Sequence, residues 1–377
     1  MIPPVVLAPL AGGPSTPELA AAVASAGGLG FVAAGYLAPD ELARRLARAR
    51  ELSDGPLGVN LFVLEAQPVD DDAVAAYAHL LAAEGHEVGE PRFDDDHFAE
   101  KLAVALDAGI DVVSTTFGPP PANLVEAAHA AKIAVWATVA SVDDAKRAVA
   151  SRADVLVAQG SEAGGHRASF DDTDEHDTPL LELLSALRDV VDLPLVASGA
   201  IADQTTAAAA LAAGAVAVQA GTAFLLCHEA GTSAPHREAV TRGGPTRITR
   251  AFTGRRARGI VNTFMRDHPD APSAYPQIHY VTAPLRAAAR AAGDAEQINL
   301  WAGTRVDLAR ERAAADVVAE LRPSDRAPRP REETGLDEQR HRVALDHGLA
   351  VEPLDRKPGQ PPRADVTHDR IDGRTKP

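Results

Sequence analysis

Eight short apolar runs recur along the chain, at residues 4–9, 29–33, 57–62, 112–115, 133–138, 155–158, 195–197 and 215–219, with Ala/Glu/Arg-rich helical stretches between them. Short, mostly apolar runs alternating with helical stretches predict a parallel sheet wrapped by helices. Eight such units predict closure into a TIM (β/α)8 barrel, an α/β fold. Helix starts agree with this frame. Ser15-Thr16-Pro17-Glu18 sets a capping hydroxyl, a helix-compatible proline and an acidic first turn in sequence, and Ser141-Val142-Asp143-Asp144 sets a similar start before the sixth strand.

Three stretches lie outside the repeat. Residues 63–96 are long for a strand-to-helix connection, end in the acidic run Asp94-Asp95-Asp96, and are expected to fold over the barrel mouth as an insertion. From about Pro235 to Trp301 helical patterning breaks, and tyrosines and a second group of histidines gather. The expected organisation is therefore a barrel over 1–234, a substrate or capping lobe with a C-terminal helix over 235–322, and a tail over 323–377. The tail has eight prolines, no aromatic residue, and eleven Lys/Arg against eleven Asp/Glu, so it reads as disordered.

Composition excludes several functions. A formal net charge of −16 offers no basic face for nucleic acid. The lone cysteine, Cys227, sits in an apolar run; it rules out an intramolecular disulfide framework or a multi-cysteine zinc site and reads as a small buried hydrophobe. No cleavable leader and no stretch of about 18 apolar residues is present, so the expectation is a cytoplasmic protein without membrane contact, and one that allows a homo-oligomer. The Asp94–Asp96 triplet beside His97 reads as a solvated loop leading into a helix, not a metal site, because consecutive carboxylates cannot all face one ion.

Gly28-Leu29-Gly30-Phe31-Val32-Ala33 matches the dinucleotide fingerprint G-x-G-x-x-G/A, but a helix precedes it and a strand follows, the reverse of what the fingerprint needs. The informative positions lie instead at the carboxyl ends of the strands, where barrel sites are assembled. Pro9-Leu10-Ala11-Gly12 follows the first strand and leaves room for a flat ligand against the backbone. Asn60 is a polar residue in an apolar run, and its amide can both donate and accept. Gly199-Ala200 and Gln219-Ala220-Gly221-Thr222 end the seventh and eighth strands, where barrels offer backbone N–H groups to one phosphate. After the sixth strand comes Gln159-Gly160-Ser161-Glu162-Ala163-Gly164-Gly165-His166-Arg167, a glycine-flanked loop histidine. With a value near 6.5, His166 could take a carbon-bound proton or hydrogen-bond an anionic substrate.

These residues give the chain a resemblance to bacterial nitronate monooxygenases, the 2-nitropropane dioxygenase-like family, over most of residues 3–320. The matching segments are Ala8-Pro9-Leu10-Ala11-Gly12-Gly13-Pro14-Ser15-Thr16, Gly58-Val59-Asn60-Leu61-Phe62, Ser114-Thr115-Thr116-Phe117-Gly118, the 159–167 loop, Gly199-Ala200-Ile201-Ala202-Asp203 and 219–227. The resemblance implies a flavoprotein monooxygenase with noncovalent FMN at Pro9, Leu10, Ala11, Gly12, Asn60, Gln159, Gly164, Gly165, Gly199, Ala200, Gln219, Ala220, Gly221 and Thr222, and no metal. It implies that His166 is catalytic, that substrate lies near Phe117, Tyr275, His279 and Tyr280, and that alkyl nitronates such as propionate 3-nitronate are oxidised by O2.

Some positions depart from the family pattern. Leu10 stands where many relatives have Met, a swap that conserves volume. Ala200 replaces a glycine, which is expected to be tolerated if φ is negative there. His279 and Ala283 stand where a tyrosine and a lysine are found in one subgroup. Similar barrels are NAD(P)H-dependent FMN reductases of the enoyl-acyl carrier protein or quinone type, and a non-catalytic flavin-binding protein is a third reading. The segments Gly12-Gly13-Pro14-Ser15-Thr16, Thr116-Phe117-Gly118 and Leu300-Trp301-Ala302-Gly303 favour the nitronate group.

Overall fold

The computed structural model describes residues 2–323; the expected disordered tail lies, from 324 onward, outside the described residues. Each of the eight apolar runs forms a strand. In chain order these are β1 (Val5–Leu7), β2 (Gly30–Ala33), β3 (Leu57–Phe62), β4 (Val112–Thr116), β5 (Ala134–Val139) and β6 (Val155–Gln159), then, after a two-residue β7 (Gly165–His166) in another sheet, β8 (Leu195–Ser198) and β9 (Ala217–Ala220). They run parallel in the order β1-β9-β8-β6-β5-β4-β3-β2. The open edge between β1 and β2 is joined by Leu7 N–H donating to Leu29 O at 2.9 Å and Leu29 N–H donating to Val5 O at 3.0 Å, so the sheet closes as a TIM barrel. Inside it Val6, Phe31, Trp136, Val157 and Val196 fill the amino-terminal end. Truncating a fully buried indole such as Trp136 to alanine typically costs about 3–5 kcal/mol.

The helices of the ring are α1 (Pro17–Ser25), α2 (Pro39–Leu52), and, after the inserted α3 (Asp71–Ala83), α4 (Phe98–Asp107), α5 (Ala122–Ala130), α6 (Val142–Ala150), α7 (Leu180–Arg188) and α8 (Gln204–Ala212). The expected starts are caps: Thr16 Oγ1 accepts from Leu19 N at 3.0 Å, and Ser141 Oγ from Asp144 N at 3.1 Å. Gly28 and Gly30 join α1 to β2, and a Cβ on Gly30 would stand 2.0 Å from Ala20 O, so packing explains that glycine.

The remainder adds α9 (Ala234–Arg242), β10 (Thr246–Thr249), β11 (Ala257–Ile260), α10 (Thr263–Asp267), α11 (Gln277–Ala292) and α12 (Ala314–Leu321). Helical patterning is less broken here than the sequence suggests, since α11 runs for 16 residues with Pro284 inside it. β10, β11 and β7 make a small antiparallel sheet that sequence reasoning missed. Phe252, Phe264, Met265, Ile278, Val281 and Leu285 form its neighbouring core together with Val74, Tyr77 and Leu81 of α3. The 63–96 insertion thus packs with this region. α12 returns to the main core through Val317, Val318 and Leu321, against α1 and α8. Cys227 is fully buried there, and burial pushes its thiol up to about 12.

Candidate active site

A cavity of about 400 Å³ opens where the carboxyl ends of the barrel strands meet the residues after β9. Every predicted cofactor position lines it: Pro9, Leu10, Ala11 and Gly12 after β1, Asn60 in β3, Gln159, Gly164 and Gly165 around β6 and β7, Gly199 and Ala200 after β8, and Gln219, Ala220, Gly221 and Thr222 at β9. A Cβ on Gly12 or Gly165 would project into open space, so both leave the wall flat beside the cavity. Ala200 corrects an expectation. Its φ is +52°, in the left-handed region that costs an alanine on the order of 1 kcal/mol.

The side-chain amides are oriented by their neighbours. Asn60 Oδ1 accepts from Ser114 Oγ and Thr116 Oγ1, each at 2.9 Å, so only its N–H groups are left for a ligand. Gln219 Nε2 donates to Ser198 Oγ at 3.4 Å and leaves its carbonyl free. Gln159 is used mostly within the protein. Its Nε2 donates to His166 O at 3.0 Å, while its Oε1 accepts from Arg167 Nη1 and Ala168 N, both at 3.0 Å. That clamp, with β7 paired to β11 (Ala257 opposite His166), makes His166 part of a sheet rather than of a flexible loop.

His166 differs from the expectation of an unperturbed histidine. Phe117, Tyr275 and Trp301 surround it with ring centroids at 5.7, 5.6 and 5.6 Å. Its open side faces the cavity, and its Nε2 lies 2.9 Å from Thr253 Oγ1. Burial, assisted by the cationic Arg255 and Arg286, lowers its pKa to about 3, so the imidazole is neutral at ordinary pH. When the Thr253 hydroxyl donates to Arg255 O at 3.3 Å, His166 Nε2–H is the donor to Thr253, and Nδ1 is the basic nitrogen.

The predicted substrate residues divide. Phe117 and His279 line the cavity. Phe117 has φ +77°, and the Arg255 guanidinium carbon sits 4.0 Å from its ring centroid. His279 stacks on Tyr36 at 4.2 Å with an interplanar angle of 5°, and burial first, then Arg286, holds its pKa well below 6.5. Tyr275 stands one layer back, its hydroxyl 3.0 Å from that of Tyr36. Tyr280 is a correction: it is not among the cavity residues, and its ring is covered by the Arg92 guanidinium at 3.5 Å. Successive residues on a helix face different ways, so His279 and Tyr280 could not both point inward.

Tyr36, Thr253, Arg255, Arg286 and Trp301 were not singled out as site residues from sequence. Arg286 is 8% exposed and lines the cavity, its Nε donating to Thr282 Oγ1 at 3.0 Å and Nη2 to His279 O at 2.8 Å, with no carboxylate partner among the described residues. Burial lowers its pKa to about 10, which leaves it cationic. Arg286 follows His279 by seven residues, two helical turns along one face, so recognising α11 as a helix would have found it. Tyr36 falls just past the second apolar run, where the strand-end rule applied equally.

The asymmetry in charge decides what the cavity accommodates. Its lining contains Arg286, Arg290 and Arg305 and no Asp or Glu, in a chain of net charge −16. Comparison with known proteins identifies the family. The family described as nitronate monooxygenase matches residues 1–324. The chain belongs to the nitronate monooxygenase family. It is 37% identical to the nitronate monooxygenase of Pseudomonas aeruginosa, covering 84% of this chain and 95% of the relative, and 34% identical to a probable nitronate monooxygenase of Bacillus subtilis, covering 80% and 89%. The solved nitroalkane oxidase of Streptomyces ansochromogenes is 45% identical, with a TM-score of 0.81 over 84% of this chain and 94% of that one. FabK of Thermotoga maritima, 24% identical with a TM-score of 0.67, shares the fold. As a nitronate monooxygenase family member the chain is an oxidoreductase. Among the described residues no helix is long and apolar enough to cross a membrane, and no His/Cys/Asp/Glu group could hold a metal.

Proposed function

We propose that this enzyme uses FMN to oxidise alkyl nitronates, with propionate 3-nitronate as a candidate substrate and molecular oxygen as the acceptor. The observation that carries the reading is the cationic cavity without a carboxylate: a buried guanidinium with no counter-ion is costly unless an anion arrives to meet it. The chemistry of the remaining wall fits FMN. Asn60 offers donors and Gln219 an acceptor, which matches the mixed edge of an isoalloxazine, while the turns after β8 and β9 offer backbone N–H groups for one phosphate. FMN, when bound, would take electrons from the substrate and pass them to oxygen.

The chain's own residues do the rest. Arg286 attracts and orients the nitronate, and the Phe117 and Trp301 rings, backed by Tyr275, keep water from its carbon. A neutral nitroalkane must first lose its α-proton: the C–H bond breaks, the proton goes to His166, and the electron pair moves onto the nitro oxygens. With a pKa of about 3, His166 alone is a weak base. The negative charge that develops on the substrate offsets the push from Arg255 and Arg286, so the imidazole becomes more basic as the nitronate forms.

Anaerobic mixing tests the reading. Propionate 3-nitronate is expected to bleach the bound flavin, and NADH or NADPH to leave it yellow. Bleaching by a nicotinamide nucleotide, with none by the nitronate, would overturn it in favour of a reductase.

A further inference from the structure

We propose that Asp96, held by its buried ion pair with Lys101, is a positioning residue that fixes the Tyr36–His279 wall from outside the cavity. The proposal rests on the cavity being the substrate site. Tyr36 lines that cavity with φ +67°, a left-handed conformation unfavourable for a bulky aromatic residue unless its surroundings impose it. Its backbone N–H donates to Asp96 Oδ1 at 2.9 Å, a bond across 60 residues of sequence. The same oxygen lies 2.7 Å from Lys101 Nζ. Lys101 is completely buried, and Asp96 is the carboxylate it pairs with among the described residues.

The expectation of a solvated acidic loop therefore fails at this one carboxylate. A charged lysine in the interior immobilises the Asp96 carboxylate, because letting it swing away would leave an unpaired buried charge. Asp96 in turn anchors the Tyr36 backbone. The Tyr36 ring then stacks on His279, and its hydroxyl meets that of Tyr275, whose ring lies 5.6 Å from His166. Asp96 also ends the segment whose Gly89 N–H donates to Val281 O at 2.9 Å, on the helix that carries His279 and Arg286. Both halves of the stack are thus tied to one stretch of chain, and neither tie touches the cavity.

Removing Asp96 alone would leave Lys101 buried and unpaired, so two neutral double variants make the test. Asp96→Asn with Lys101→Met keeps an oxygen for the Tyr36 amide; Asp96→Ala with Lys101→Met removes it. We expect the first to keep KM for propionate 3-nitronate within threefold of the parent. The second is expected to raise KM about tenfold, with kcat changed less than threefold and flavin content and Tm equal to those of the first. Crystal structures should show the 4.2 Å stack kept in the first and lost in the second, a readout independent of which substrate the enzyme takes. Equal KM values and an intact stack in both variants would overturn the proposal, as would a fall in flavin content and Tm that parallels the rise in KM.

Discussion

The barrel and the region after β9 build facing walls of one cavity from different materials. On the barrel side the wall is largely backbone and small residues, Ala8 to Pro14, Gly199-Ala200 and Ala220-Gly221, with Asn60 and Gln219 as its main side-chain polar groups. On the other side Thr253, His279, Arg286 and Trp301 reach in with rings, a hydroxyl and a charge. A wall made of peptide groups tolerates change wherever the backbone path is kept. A wall made of side chains is defined residue by residue, so under the proposed function the barrel would hold the cofactor while the opposite wall would set which molecule meets it. His166 belongs to both, since it follows β6 yet pairs with β11.

The sharpest way to break this division is His166→Ala. It should leave FMN bound and lower activity on neutral nitroalkanes by about 10²–10⁴-fold, more than on preformed nitronates, in a steady-state comparison of the two. Equal, small losses on both would place the base elsewhere, with His279 the next residue to test. The pH profile sharpens the point. Because burial holds His166 near 3, it stays neutral as pH falls from 8 to 5, and kcat/KM for a nitronate should show no limb near 6.5 that His166→Ala abolishes.

A smaller effect is expected at Arg286→Met. Losing one charge-assisted contact, about 1.5–3 kcal/mol, should raise KM for nitronates roughly 10- to 100-fold with little change in kcat or flavin affinity. A fall in kcat with KM unchanged would mean that the guanidinium acts on the transition state alone. The smallest effect lies on the barrel side. Ala200→Gly relieves a φ of +52° but adds glycine's entropy cost, a net gain of about 0.5 kcal/mol in urea denaturation with kinetics unaltered.

The barrel was readable in the sequence because parallel strands buried on both faces, such as 155–158 and 195–197, stand out as unbroken apolar runs. β7 was not, because two residues carry no periodicity, and β10 mixes exposed and half-buried positions. α11 was obscured by Pro276 before it and Pro284 within it. The expected cofactor positions could be placed on the cavity wall because they sit at or just after the carboxyl ends of strands, Asn60 within β3 excepted. Tyr36 and Tyr275, 239 residues apart, meet only through the fold, and the low pKa of His166 depends first on its burial and then on Arg255 and Arg286, none of which a local pattern around residue 166 could reveal.

The pairing of Gly165 and His166 with β11 also constrains how such enzymes can be recombined. Exchanging residues 235–313 for those of a relative, with the aim of changing substrate preference, imports a new strand against which His166 must register. A one-residue slip there would turn the imidazole to the other face of the sheet. A workable crossover therefore keeps 159–168 and 255–260 from the same parent, and treats these two distant stretches as one inherited unit.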